Sequence, residues 1–170
     1  EALLNRLRVQ GKARGWLRME AVATLELLRL GADHGIGDAA HLAQRADEVL
    51  AHEAMPAEPS TFREALQCFR LASAFSAALH GFDMTQLDRL TAVVAEFDVQ
   101  HGVPLAIRAK LLLARVYVQH GAADRARGAM TEAFTRAQDA GMLQTLRDAG
   151  PWAHALVPQL YAAIEPTTAE

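Results

Sequence analysis

The stretch from Leu113 to Ala133 limits the fold most, because its small, aromatic and glycine positions fall where a tight helical hairpin needs them. It reads Leu-Ala-Arg-Val-Tyr-Val-Gln-His-Gly-Ala-Ala-Asp-Arg-Ala-Arg-Gly-Ala-Met-Thr-Glu-Ala. Ala114 and Ala126 are small enough for two helices to approach closely. Tyr117 and Met130 can fill the space between layers, and Gly121 can take the left-handed conformation that ends a helix. About forty residues earlier, Ala74, Ala77, Gly81, Leu90 and Val93 stand at equivalent places, and His80-Gly81 recurs as His120-Gly121. About ninety residues earlier come Leu27 and Gly31, then Ala39, Ala43 and Ala46 once three extra loop residues are allowed for.

Composition agrees with a helical chain. Apolar residues make up 51% of the 170, weighted towards Ala and Leu, and aromatics only 6%. Ala and Leu lose little side-chain freedom in a helix, whereas β-branched residues suit strands. Eight helical segments are read from the pattern. Ala2 to Gln10 comes first, followed by a Gly11–Gly15 turn and then Trp16 to Leu30, which stops at Gly31. A third helix runs from Asp38, its N-cap, to about Ala54. Met55-Pro-Ala-Glu-Pro-Ser60 is the clearest break, and Thr61 with Glu64 has capping-box spacing. Helices are then expected at about 61–80, 84–101, 104–120 and 122–140, and a last one near 151–164, which Pro158 would kink.

The 113–133 stretch resembles a tetratricopeptide repeat, with Ala114, Tyr117, Gly121, Ala126, Met130 and Ala133 on its small, aromatic, Gly, Ala, large-apolar and Ala positions. One such hairpin cannot bury its own apolar face, so neighbours must stack. The expected fold is therefore all-α, a tetratricopeptide-like α-solenoid of antiparallel helix pairs forming a right-handed superhelix. A single domain is expected over 1–170, with pairs at about 16–54, 61–101 and 104–140. Its concave surface is expected to carry Arg18, Leu25, Arg29, Leu71, Phe75, Leu79, Arg108, Arg115 and Gln119.

Seventeen basic and twenty acidic residues give a formal charge of −3. That balance does not supply the phosphate-neutralising cations of non-specific nucleic-acid binding. The single cysteine, Cys68, excludes an intramolecular disulfide and favours a reducing, cytoplasmic setting. No apolar run reaches membrane-helix length. The chain starts at Glu1 with no signal peptide in view and reads as a piece of a longer protein.

No catalytic or metal motif emerges. Gly11-Lys-Ala-Arg-Gly15 lacks the order of a phosphate loop and reads as an inter-helix turn. The seven histidines show no metal-ligand pairing. Cys68 sits among apolar residues as a small core side chain, and Phe82, Phe97, Phe134, Tyr117 and Trp16 read as inter-helix core. Phe75 is the aromatic assigned towards a ligand surface. Arg18, Arg29, Arg108 and Arg115 share a phase that can make an anion-receptive groove, with Gln119 beside them.

Beyond the repeat the chain continues Gly141-Met-Leu-Gln-Thr-Leu-Arg-Asp-Ala-Gly150, then Trp152, Leu156, Val157 and Leu160. This resembles the end of the sensor domain of the large ATP-dependent LuxR-type transcriptional activators, the MalT-like group. There a Gly-aromatic-x-Arg-x-Phe-x-Asp-Glu-Gly stretch precedes an apolar helix. Met142, Gln144, Leu146 and Ala149 depart from that pattern at the aromatic, arginine, phenylalanine and glutamate positions. The resemblance implies an N-terminal nucleotide-binding module that uses ATP, a helical-repeat sensor, and a C-terminal helix-turn-helix. No cofactor is expected in the present chain. The expected partners are a small-molecule inducer, or a protein or peptide, on the concave groove, together with self-association. No direct nucleic-acid or membrane contact is expected. The alternative is a tetratricopeptide-type protein–protein scaffold without a small-molecule ligand.

Overall fold

The computed structural model describes residues 1–34, 39–52, 61–80, 84–100, 103–149, 152–155 and 158, and among these the chain is helix and turn with no strand. The helices are α1 (Ala2–Arg14), α2 (Leu17–His34), α3 (Ala39–His52), α4 (Thr61–His80), α5 (Met84–Gln100), α6 (Val103–Gln119), α7 (Ala123–Asp139) and the short α8 (Gln144–Arg147). Residues 152–155 are also helical. The proposed Asp38 cap, the 55–60 break and most of the 151–164 helix lie outside the described residues. Among the described residues no helix is long and apolar enough to cross a membrane. The chain divides into two compact units, Glu1–Val93 and Val94–Glu170, with the division inside α5.

Two boundaries differ from the sequence reading. α2 runs past Gly31 to His34. Gly11 is not in a turn but inside α1, the one buried residue of that helix. A Cβ there would stand 2.7 Å from the backbone nitrogen of Glu20, so glycine is what allows α1 to lie directly on α2. α1 ends instead at Gly15, with φ of 67°, where Trp16 N–H donates to the Gly11 carbonyl at 2.8 Å and Gly15 N–H to that of Lys12 at 3.4 Å. This paired closure satisfies carbonyls that a helix end otherwise leaves open.

In the first unit α2 packs against α1, α3 and α4, and α3 also packs against α4. Polar groups tie the same helices. Glu20 is 2% exposed, and its carboxylate accepts from Arg45 Nε at 2.7 Å and Nη2 at 3.4 Å, joining α2 to α3. That bond holds the Arg45 guanidinium above its usual pKa despite the opposing effect of burial, with Glu48 adding to the rise. Ser73 of α4 donates to Asp47 Oδ1 of α3 at 2.6 Å and accepts from Arg89 of α5 at 3.2 Å. Buried Thr24 donates to the Glu20 carbonyl at 2.8 Å, so it too is satisfied.

In the second unit α6 and α7 form the hairpin expected from 113–133. Gly121 takes φ of 70°, Gly121 N–H donates to Val118 and Ala122 N–H to Tyr117, the same closure as at Gly15. Ile107, Leu111 and Ala114 of α6 meet Met130, Ala133 and Ala137 of α7, and Leu146, Ala149 and Ala153 complete that core. Lys110, 8% exposed, reaches Glu132 of α7 at 2.5 Å. The 141–150 stretch contains α8, which packs on α6 and α7.

The helices differ in how much of their circumference is covered. α4 and α6 are buried nearly all round, and α2 over more than half its turn. By contrast, α3 buries only Leu42, Ala46 and Val49, and α7 only Ala126, Met130, Ala133 and Ala137, each a single stripe at helical spacing. α5 buries Leu87, Leu90, Val93, Val94 and Phe97 on one face.

Two substitutions check this packing by thermal or urea unfolding. Ala114→Leu, at a fully buried position, is expected to cost about 1–3 kcal/mol through overpacking; an unchanged midpoint would contradict the hairpin register. Gly11→Ala would gain about 1 kcal/mol in an open helix. Against the Glu20 backbone it is instead expected to destabilise.

Candidate functional site

Of the residues expected on a concave face, those of α4 are buried. Phe75 is fully buried in α4, which corrects its assignment to a ligand surface. Leu71 is also fully buried, and Leu25 and Leu79 are nearly so. The reason is the density of small residues on α4: Ala65, Ala72, Ala74 and Ala78 are all buried, and α2 and α3 both pack on this helix. Arg18 and Arg29 belong to the first unit, and Arg108, Arg115 and Gln119 to the second.

Each polar residue has its own setting. Arg29 is half-buried and pairs with Glu26 at 2.9 Å within α2. Arg108 and Gln119 are exposed on α6. Arg115 is half-buried, and its guanidinium carbon stands 5.9 Å from the Trp152 ring centroid, within cation–π range. That contact ties it to the helical segment after α8. Cys68 is buried, as its apolar neighbours indicated. His52 and His80, at the ends of α3 and α4, lie 2.6 and 2.9 Å from the carbonyls of Glu48 and Ser76, as helix-end donors would. Among the described residues no group of His, Cys, Asp and Glu is arranged to hold a metal ion.

Arg18 leads to the site that sequence reasoning missed. It lines an apolar groove of about 720 Å³ in the first unit. Leu4 and Leu7 of α1 form part of the wall, and Trp16, Met19 and Val22 continue it along the turn and α2. Phe62, near the start of α4, contributes another part. Trp16 is 50% and Phe62 39% exposed, so neither is the core residue that an aromatic in a helical repeat would suggest. Leu3 of α1 is 66% exposed.

The groove exists because α1 is held on α2 at one close point. Gly11 brings the two backbones together, while the larger Leu4 and Leu7, further back along α1, stand on the cavity wall. Two cations stand at it. The Arg14 guanidinium lies 4.8 Å from the Trp16 ring centroid, and Arg18 pairs with Glu64 at 3.2 Å while its side chain stays 60% exposed. The sequence signal was present in the five basic residues against one acidic among the first nineteen.

Among the described residues the chain is thus all-helical, and its first unit carries an open apolar groove. Compared with protein-family models, curated proteins and solved structures, the chain matches none.

The two aromatics separate core from surface. Phe75→Ala is expected to cost about 3–5 kcal/mol as a fully buried ring, and Trp16→Ala about 1 kcal/mol, chiefly its contact with Arg14. Urea unfolding of both variants checks this; a larger loss at Trp16 would make the groove part of the stabilising core.

Proposed function

We propose that the chain is the regulatory, effector-sensing helical-repeat domain of a LuxR-type, MalT-like transcriptional activator. It is a non-catalytic, cytoplasmic module whose helix pairs stack as a tetratricopeptide-like solenoid. The observation that carries this reading is the alternation along the chain. α2, α4 and α6 are covered over most of their surface, and the intervening α3, α5 and α7 bury only one face. Such alternation follows when hairpins stack side by side and one helix of each pair lies between neighbours. The Gly121 closure and the Ala114–Met130–Ala133 core support the repeat register, and α8 packed on α6 and α7 is consistent with the end of such a sensor.

In this role an effector or partner acts by binding one packing of the helices better than another, since an equilibrium shifts only through differential affinity. The groove beside Arg18 is the site offered for that binding. Its apolar wall and exposed Trp16 and Phe62 also favour the second reading, a protein–protein scaffold that holds an amphipathic segment.

A thermal-shift screen of this chain against metabolites and sugars separates the two. A ligand of the folded state present at a hundred times its Kd raises stability by about 2.7 kcal/mol. The sensor reading expects a dose-dependent rise in Tm with one chemical class. No rise across a broad library, together with capture of a peptide, would replace it with the scaffold.

A further inference from the structure

We propose that the groove between α1, α2 and the start of α4 docks an amphipathic helix of a partner protein, one whose apolar stripe is flanked by acidic side chains. This deepens the reading of the chain as a binding module and rests on it. Two observations choose the occupant.

The first is shape and surface. Leu4, Leu7, Met19 and Val22 make a continuous apolar wall in a cavity of about 720 Å³, and Trp16 and Phe62 remain exposed beside it. Helix-in-groove recognition uses apolar anchors at i, i+3, i+4 and i+7, which suits an apolar wall with aromatic contacts.

The second is charge. α1 carries Arg6, Arg8, Lys12 and Arg14 and no acidic residue. Arg14 sits on Trp16, and Arg18 lines the cavity. Arg8 lies one turn beyond Leu4 on the same side of α1, and its Nε is buried with no hydrogen-bond acceptor among the described residues. Among the described residues Glu64, paired with Arg18, is the acidic side chain seen against these cations, and it leaves Arg14 and the α1 cations for a partner's carboxylates. The whole chain carries −3, so this end differs in sign from the rest, and like-signed partners are disfavoured here.

The test uses two synthetic helices of about eighteen residues with one shared leucine stripe, flanked in one by Glu and in the other by Lys. Binding is read in a Trp152→Phe background from Trp16 emission and from the anisotropy of a labelled peptide. The Glu helix is expected to bind roughly tenfold or more tighter than the Lys helix at low salt, to shift Trp16 emission, and to lose that advantage as salt rises. Charge reversal at exposed positions, Lys12→Glu with Arg14→Glu, is expected to remove or invert the preference while the melting curve stays cooperative. Lys12→Glu alone is expected to move it part of the way. Equal affinity for both helices, or binding without a change at Trp16, overturns the proposal. So does sedimentation showing that a second copy of the chain occupies the groove. If neither helix binds yet a small molecule raises Tm, the sensor reading stands and this occupant is wrong.

Discussion

The first unit depends on one residue, Glu20, because three helices meet at it. Its backbone takes the close approach of Gly11 from α1, and its carboxylate takes Arg45 from α3. Removing water from a carboxylate is costly, and a single ion pair recovers that cost only when the geometry is good and further hydrogen bonds are made. Here two guanidinium nitrogens face the two carboxylate oxygens, and Arg45 also reaches Glu48 at 3.6 Å. The position of Glu20 in the first turn of α2 adds the favourable field of a helix N-terminus. Losing Arg45 would leave the carboxylate buried and uncompensated, whereas losing an exposed pair such as Arg18–Glu64 would remove little. The groove lies at this same end of α2, so its shape follows from how Glu20 fixes α1.

Among its described residues the second unit achieves close packing without such a buried anion. Ala114, Ala133 and Ala137 bring α6 and α7 together, and Met130, flexible and unbranched, fills what remains. Lys110 extends its apolar stem through the interior and meets Glu132 near the surface, which keeps the ammonium partnered. Both units thus rely on small residues at helix crossings, one through a glycine and the other through alanines.

Residues whose environment is local were legible in the sequence. The 113–133 hairpin, its Gly121 turn and its buried alanines depend on spacing along two adjacent helices, and periodicity reports that directly. The fate of Phe75 was not legible. Its phase on α4 was right for an exposed face only if one side of that helix stayed open, and the small residues around α4 let its neighbours close it. Gly11 misled for the opposite reason. A glycine next to Lys12 and Gly15 reads as a turn, and only the Glu20 backbone, nine positions on, shows why a helix interior needs it. Trp16 was assigned to the core because aromatics in helical repeats usually are, while its neighbours Arg14 and Arg18 carried the contrary signal.

A preformed groove for a partner requires that α1 be docked on α2 in the free protein rather than frayed from it. Native-state hydrogen exchange, followed residue by residue along α1, tests this most directly. The amides of Arg8 to Arg14 are expected to be protected together with those of α2, opening only when the first unit opens as a whole. Exchange of α1 at the rate of an unfolded segment, with α2 still protected, would mean that Gly11 does not hold the two helices together, and the groove would not be a feature of the folded protein.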